Sequence, residues 1–551
     1  MTAQAMLVRL ERLPGGWRGA LALVLVVQLI LLREISEGRF LLLLRGGETV
    51  APLWYLHTAS KITLLAGGAV IVAALVERRL IGPPPLSSRA RVALAGLHGA
   101  AFLVLLGLIP SLPLGWRGSM MADLAHWRYA AVSGAFLLWQ GTALLLIAPR
   151  RLLAGMSTRA ALFVGCGIVT ALLLSSERNL AIDALRALVE DVTLSLALAF
   201  YAVIGDAQPV LSYRDGTPLL SAEGFAILIS PVCAGYQGML AAGTVMAGLI
   251  ALDWSGLQRG RAAALAVTTV GLVFTLNAFR IALLFHIGVR HSPEMAVEGF
   301  HSYFGTLSLL AVVALAMLAL QHPLFRRGTA SAGRLRTQPA GQEGEAALLI
   351  LPLAIYLGVG MVVGLFSTGF NWAYPLTALA GLGLIALWRH AIASEFAGGP
   401  GLSGFVMGFA VFALWLALVP PDPAADAETT AALTAAPSSL VFLWMLLRLV
   451  GFSLVVPVLE ELAFRGGLHR LVMARLTPQV GSHWAAATAL SVSALAFGAL
   501  HSQMLAGTLA GLGFGLLVLR TGRTGDAIIA HAVTNFLLAI SAIVTQHWSL
   551  W

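Results

Sequence analysis

The chain has 551 residues, of which 59% are hydrophobic and only 11% charged, and its mean hydropathy is +0.88. A soluble domain of that composition would expose large apolar patches, so the sequence reads as an all-α polytopic membrane protein, two consecutive transmembrane helical bundles of roughly 15 to 16 spans. The net charge of +9 and pI near 10.2 do not indicate a nucleic-acid partner, because the basic residues lie in short loops between apolar runs, where they set membrane orientation.

The first apolar run, near 18 to 34, follows Arg9, Arg12 and Arg18 and so has the flanks of a signal peptide. It lacks a small-residue cleavage site and carries Gln28, Arg33 and Glu34, which predicts a retained first span. Further runs follow near 57 to 77, 91 to 110, 128 to 148, 159 to 175, 185 to 204, 236 to 253, 262 to 287 and 301 to 320. After residues 321–346, rich in Arg, Gln, Gly and Pro without apolar period, they resume near 347 to 366, 374 to 389, 401 to 420, 437 to 457, 484 to 519 and 526 to 545. The expected organisation is a membrane module over 1–320, a cytoplasmic linker over 321–346 and a second membrane module over 347–551. The stretch 484 to 519 is long enough for two short helices, and the acidic, Pro/Ala-rich insert from Pro420 to Glu428 belongs on the side opposite the linker.

Two cysteines without paired spacing support neither a disulfide framework nor a cysteine-based zinc site. Cys166 lies inside an apolar run and reads as a small packing residue, whereas Cys233 lies in Ser-Pro-Val-Cys-Ala-Gly-Tyr-Gln-Gly, a polar break before a new helix. Arg259 and Arg261 mark one loop as cytoplasmic, and Arg326, Arg327, Arg334 and Arg336 mark another. Cys233 therefore begins a helix at the far end from Arg259, Arg280 lies roughly 28 Å along the next helix at the α-helical rise, and His301 opens the one after. The three share one depth at the outer interface. A thiolate at a helix start beside a cation is a nucleophile, His301 has the chemistry of a general base, and Arg280 that of an oxyanion donor, with Asn277 on the same helix face. Singly, Arg280 reads as a snorkelling interfacial cation and His301 as a solvated helix-start histidine, the class to which His286 and His291 are assigned.

The ordered set Cys233-Ala234-Gly235, Asn277-Ala278-Phe279-Arg280 and His301-Ser302-Tyr303-Phe304-Gly305 resembles the exosortases, multi-pass bacterial membrane transpeptidases, over about residues 180–320. The resemblance implies catalytic Cys233, Arg280 and His301. It also implies partner proteins that are exported with a C-terminal sorting signal of motif, transmembrane helix and basic tail. The implied location is the bacterial inner (plasma) membrane, with the thiol site at its outer face. The residues do not distinguish hydrolysis from transpeptidation, since one acyl-enzyme precedes both.

The second module carries Glu460-Glu461-Leu462-Ala463-Phe464-Arg465, Phe497-Gly498-Ala499-Leu500-His501 and His531-Ala532-Val533-Thr534-Asn535. Each charge at bilayer depth costs on the order of 2.5 to 3.5 kcal/mol, so adjacent carboxylates there need a reason. Spacing of four places Glu461 beside Arg465 as an ion pair, and His531 beside Asn535. Glu460 has no basic residue three or four positions away, and His501 sits in an apolar run. Together they suit water activation by Glu460 and His501, with His531 and Asn535 donating to an oxyanion. This order of motifs is similar to that of the CPBP intramembrane proteases, which include the CAAX-processing endopeptidases. The resemblance implies a metal-free glutamate mechanism without cofactor, in which Glu461 and Arg465 support the first motif, although a Glu/His/His set also has zinc-ligand chemistry. One chain with both modules resembles the exosortase E/protease fusions, whose clients carry a Val-Pro-Glu-Ile-Asp-like signal. Two other readings remain: a catalytic first module with a scaffold as the second, and a transporter. Against the transporter, the ionisable residues form two motif sets and no trail across one bundle.

Overall fold

The computed structural model describes residues 87–108, 127–147, 180–214, 217–229, 235–253, 255–327, 342–367, 370–396, 399, 401–480 and 482–551, together with residue 28. The predicted spans near 57 to 77 and 159 to 175, and all of the first run except Gln28, lie outside them. The fold is all-α and polytopic. Five helices among the described residues are long and apolar enough to cross a membrane, or up to seven if each of two bent pairs is one span. Every other predicted run is helical, and the stretch 484 to 519 is two helices, Ser482–Ala499 and Met504–Thr521. The described residues group into two compact units, one within 1–175, 413–420 and 468–522, the other within 176–412, 421–467 and 523–551.

In the second unit the helices Tyr236–Leu252, Arg259–Arg290 and His301–Ala319 pack side by side. The loops that hold Arg259 and Arg326 lie at one shared end. Gln258 donates its backbone N–H to the Phe325 carbonyl at 2.8 Å, Arg261 donates to the Leu324 carbonyl at 2.9 Å, and Arg326 pairs with Asp253. The helix starts at Tyr236 and His301, with the distal half of Arg259–Arg290, are thereby set at the other end.

A three-stranded antiparallel sheet, β1 Val210–Arg214, β2 Thr217–Ala222 and β3 Phe225–Leu228, precedes that first helix start. The runs 185 to 204 and 236 to 253 bracket it in the sequence, and neither extends into it. Alternation is clear only in β2, where Pro218, Leu220 and Ala222 face inward while every β1 residue is exposed. Phe225 packs against Gly288, and a hairpin residue, Glu223, accepts from Arg290 at 2.7 Å. Arg290 also donates to Asp206 at 2.6 Å, a bond that holds the Asp206 carboxyl below the usual carboxylate range.

The same unit contains the helices Leu351–Leu365, Tyr374–Leu387 and Thr524–Thr545, with one continuous helical run from Ser438. Tyr303 packs its ring on Gly364, so the two predicted modules touch directly within this unit. Gly404 and Gly408, one turn apart, bring the Leu402–Leu418 helix against Thr524–Thr545, where a side chain at Gly408 would meet the Ala530 carbonyl at 2.7 Å. Thr534 closes that crossing by donating to the Gly408 carbonyl at 3.0 Å. The insert from Pro420 to Glu428 starts a helix, Pro423–Ala435. Asp422 caps it by accepting from the N–H groups of Ala424 and Ala425, and Pro423 stands in its first turn, where no donor is required.

In the first unit, Ser88–Leu108 and Trp127–Ile147 pack together around a buried polar cluster. The Gln28 carbonyl oxygen accepts from Trp139 at 2.9 Å and lies 2.8 Å from Nε2 of His98, whose Nδ1 faces Thr142. Each of these polar atoms has a partner, as burial in hydrocarbon requires. The helices Ser482–Ala499 and Met504–Thr521 form an antiparallel hairpin in which Gly498 and Gly507 permit near backbone contact.

Candidate functional site

The Glu460-Glu461 pair lies at the end of a short α-helical segment, Val456–Glu461, between two π-helical segments, Gly451–Val455 and Leu462–His469. Pro457 supplies the local reason for the first of these. It has no N–H and its ring clashes with the carbonyl one turn earlier, so the backbone widens there. The widened turn offers the Phe452 carbonyl, which accepts from Nδ2 of Asn535 at 2.8 Å.

Glu461 and Arg465 are fully buried and joined at 2.9 Å, the pair that the spacing predicts. The same oxygen, Oε1 of Glu461, lies 3.1 Å from Nδ1 of His531, 70 positions along the chain. A carboxylate oxygen only accepts, so Nδ1 carries the proton, and Nε2 is then the atom available to other groups. Read alone, His531 has the sequence of an interfacial histidine. It is 3% exposed, in the eighth position of the Thr524–Thr545 helix. Glu460 is 8% exposed and Asn535 6%. The second unit thus brings together Glu460, Glu461, Arg465, His531 and Asn535. As placed here, His531 and Asn535 each hold a partner within the fold: one fixes the Glu461 carboxylate, the other the widened turn.

His501 belongs to the first unit and lies just past the Ser482–Ala499 helix, in the turn of the hairpin, instead of inside a span as its apolar surroundings suggest. Its Nδ1 is 2.9 Å from the Phe497 carbonyl, which makes Nδ1 the donor and leaves Nε2 with the free pair in the neutral ring. The rings of Phe497 and Trp415 flank it at 4.7 and 5.7 Å. The motif Phe-x-x-x-His therefore carries an internal logic: Phe497 contributes both a packing face and the carbonyl that fixes the tautomer.

Two buried tyrosines that no motif spacing picks out lie on helices packed against the Val456–Glu461 segment. Tyr356 on Leu351–Leu365 is 7% exposed and packs its ring edge against Gly381 of the Tyr374–Leu387 helix. Tyr374 sets its hydroxyl against Gly451, and the Arg448 guanidinium lies 4.4 Å over its ring. The only sequence signal was a tyrosine within each of two apolar runs, which says nothing of their meeting.

For the predicted thiol site, residues 230–234, and with them Cys233, lie outside the described residues. His301 is placed by its backbone as the first residue of His301–Ala319. The flanking residues nonetheless converge. Gly235, at φ 90°, is tight against Asn277, since a side chain there would meet Nδ2 at 2.6 Å. Gly305 is equally tight against Arg280, with Nη1 at 2.6 Å from the position of an added methyl. Asn277 and Arg280, on one half-buried face of the Arg259–Arg290 helix, thus reach the segment that follows Cys233 and the segment that follows His301. His286 and His291 lie apart from these contacts, in ring contact with each other at 6.2 Å, and His286 also with Tyr201 at 6.5 Å.

Residues 442–537 match the family model for Rce1-like, type II CAAX prenyl endopeptidases. The matched range contains all three second-module motifs, from Glu460 to Asn535, and supports a CPBP-type intramembrane protease module in the C-terminal part of this multi-pass chain. No curated protein and no solved structure matches the chain.

Proposed function

We propose that the chain is a two-site membrane protease. In this reading a glutamate-dependent intramembrane endopeptidase is built around Glu460, and an exosortase-like thiol site around Cys233 lies at the outer face of a bacterial plasma membrane. The observation that carries the first site is the buried chain Arg465–Glu461–His531 beside Glu460, within a range that matches an endopeptidase family. Arg465 neutralises the Glu461 carboxylate, and Glu461 fixes His531 with Nε2 turned to other groups. Glu460 is the general base. It takes a proton from water as the oxygen bonds to the scissile carbonyl carbon, and returns it to the amine as the C–N bond breaks. The part of His501 in activating water is what the family resemblance alone implies. The second Nδ2 proton of Asn535 donates to the oxyanion, joined by Nε2 of His531 when that ring carries both protons.

At the thiol site, Cys233 attacks the client's carbonyl, Arg280 stabilises the oxyanion and His301 transfers the proton, with Asn277 holding the segment after Cys233. What supports this is the seating of Asn277 on Gly235 and of Arg280 on Gly305. The client is an exported protein with a C-terminal sorting signal of the Val-Pro-Glu-Ile-Asp type. Thiol cleavage leaves a transmembrane stub, which the second site removes.

The test is co-expression with a tagged client of that kind, read by intact mass. The parent chain is expected to remove the client's C-terminal segment and the Cys233→Ala variant to leave it whole; equal processing by both would remove the thiol site from the account. Any mass added to the client names the acceptor. A second variant separates geometry from folding. Gly305→Ala is expected to hold or raise thermal stability, because alanine favours a helix by about 0.5–1 kcal/mol. It also displaces the Arg280 guanidinium and lowers client processing by up to about 100-fold. Unchanged processing with unchanged stability would show that Arg280 has no part in it.

A further inference from the structure

His501 follows the Ser482–Ala499 helix, in the turn before Met504–Thr521, where helix geometry no longer limits its side-chain rotamers. Its ring is confined instead by what surrounds it. Nδ1 donates to the Phe497 carbonyl at 2.9 Å, and the Phe497 ring, itself 1% exposed, lies 4.7 Å away at an inclination of 35°. From the next helix Gly507 closes in, since a methyl there would meet Cβ and Cγ of His501 at 3.1 Å. Trp415, near the end of the Leu402–Leu418 helix, supplies a further wall. Its ring centroid is 5.7 Å from that of the imidazole and the planes are inclined by 68°, the edge-to-face arrangement that aromatic pairs prefer. All four residues belong to the first unit. Phe497 and Gly507 lie within the range that matches the endopeptidase family, and Trp415 lies outside it. A single hydrogen bond at Nδ1 leaves a ring able to swing about it, and Nε2, across the ring, then moves farthest. A second aromatic contact at a steep angle resists that swing.

We propose that Trp415 is a positioning residue for His501. It holds the imidazole in the rotamer and tautomer in which Nδ1 is bonded to the Phe497 carbonyl and Nε2 keeps its free pair for the reaction. The proposal rests on the reading of His501 as a water-activating residue. It gives a part in the peptidase to a helix that the family match does not reach.

Two measurements on the full chain separate this proposal from that reading. The first needs no activity. With isotope-labelled histidine in detergent mixtures at alkaline pH, where the ring is neutral, the His501 ring signals are assigned by their loss in His501→Gln. The parent is expected to show one tautomer, with the proton on Nδ1, and Trp415→Leu a mixture of two. Leucine keeps an apolar side chain in that space and removes the ring. The second measurement is cleavage of a single-helix peptide in proteoliposomes. Trp415→Leu is expected to lower kcat on the order of tenfold with KM and thermal midpoint unchanged. Trp415→Phe, which returns an aromatic ring, should recover most of that loss, and in a His501→Ala background Trp415→Leu should cost nothing further. A single tautomer in Trp415→Leu, or a kcat loss that persists undiminished in His501→Ala, overturns the proposal, and so does full kcat in Trp415→Leu where His501→Ala is itself impaired. If His501→Ala keeps the parent's kcat, it is the reading of His501 that fails, and the tautomer signal still decides whether Trp415 holds the ring.

Discussion

Glutamine in place of Glu460 is expected to leave the cleaved client's transmembrane stub long-lived while the tagged outer domain is released as before. Glutamine preserves shape and a hydrogen-bonding end but cannot take a proton from water. Loss of a positioned base costs about 10²–10⁴-fold in rate. The fold should tolerate it, because glutamine keeps the side chain's size and Glu461 stays bonded to Arg465 and His531. Stub half-life after translation is blocked, followed by immunoblot, reads the effect. Equal half-lives in parent and variant would favour the second module as a scaffold.

Arginine 465 is expected to be the residue whose loss damages the second unit most. It is 1% exposed and bonded at 2.9 Å to a carboxylate that is wholly buried. Arg465→Ala strands that carboxylate. Removal of one partner from a buried pair typically costs about 3–5 kcal/mol. Glu461 must then accept a proton or draw more strongly on His531, so activity falls with stability. A denaturation midpoint in detergent mixtures reads the first effect. A midpoint equal to the parent's would mean that the pair is dispensable. The double variant Arg465→Met with Glu461→Leu should recover much of the stability and none of the activity, since it deletes both charges and leaves His531 without its acceptor.

How far the sequence carried this architecture depended on the range of the forces involved. Spans such as Arg259–Arg290 and Thr524–Thr545 were legible because the bilayer demands a long apolar run, and hydropathy measures that directly. The pairing of Glu461 with Arg465 was legible because a helix makes positions four apart into neighbours. The sheet over Val210–Leu228 was not. Its strands have four to six residues, its first strand is exposed throughout, and its place is set by Phe225 on Gly288 and Arg290 on Glu223, contacts with a distant helix. The helix Pro423–Ala435 was hidden for a different reason. Asp422 and Pro423 signal a turn in a list of residues, and the same two signal a cap and a first turn once a helix follows.

The candidate site shows the same division. The motifs named Glu460, His501, His531 and Asn535, and residues 442–537 match an endopeptidase family. The bond from His531 to Glu461 spans 70 positions and follows from no local rule, nor does the bond from Asn535 to the Phe452 carbonyl, which exists because Pro457 widens the helix just before it.

The most direct test of the peptidase at the centre of this account is cleavage by the purified full chain in proteoliposomes. The substrate is a synthetic peptide of one apolar helix with a basic tail, and fragments are identified by mass. The account predicts two fragments from a cut within the apolar segment, whose masses sum to that of the peptide plus one water. They should form with the parent and with Cys233→Ala, and be absent with Glu460→Gln. An intact peptide with the parent chain, or the same fragments with Glu460→Gln, would contradict it.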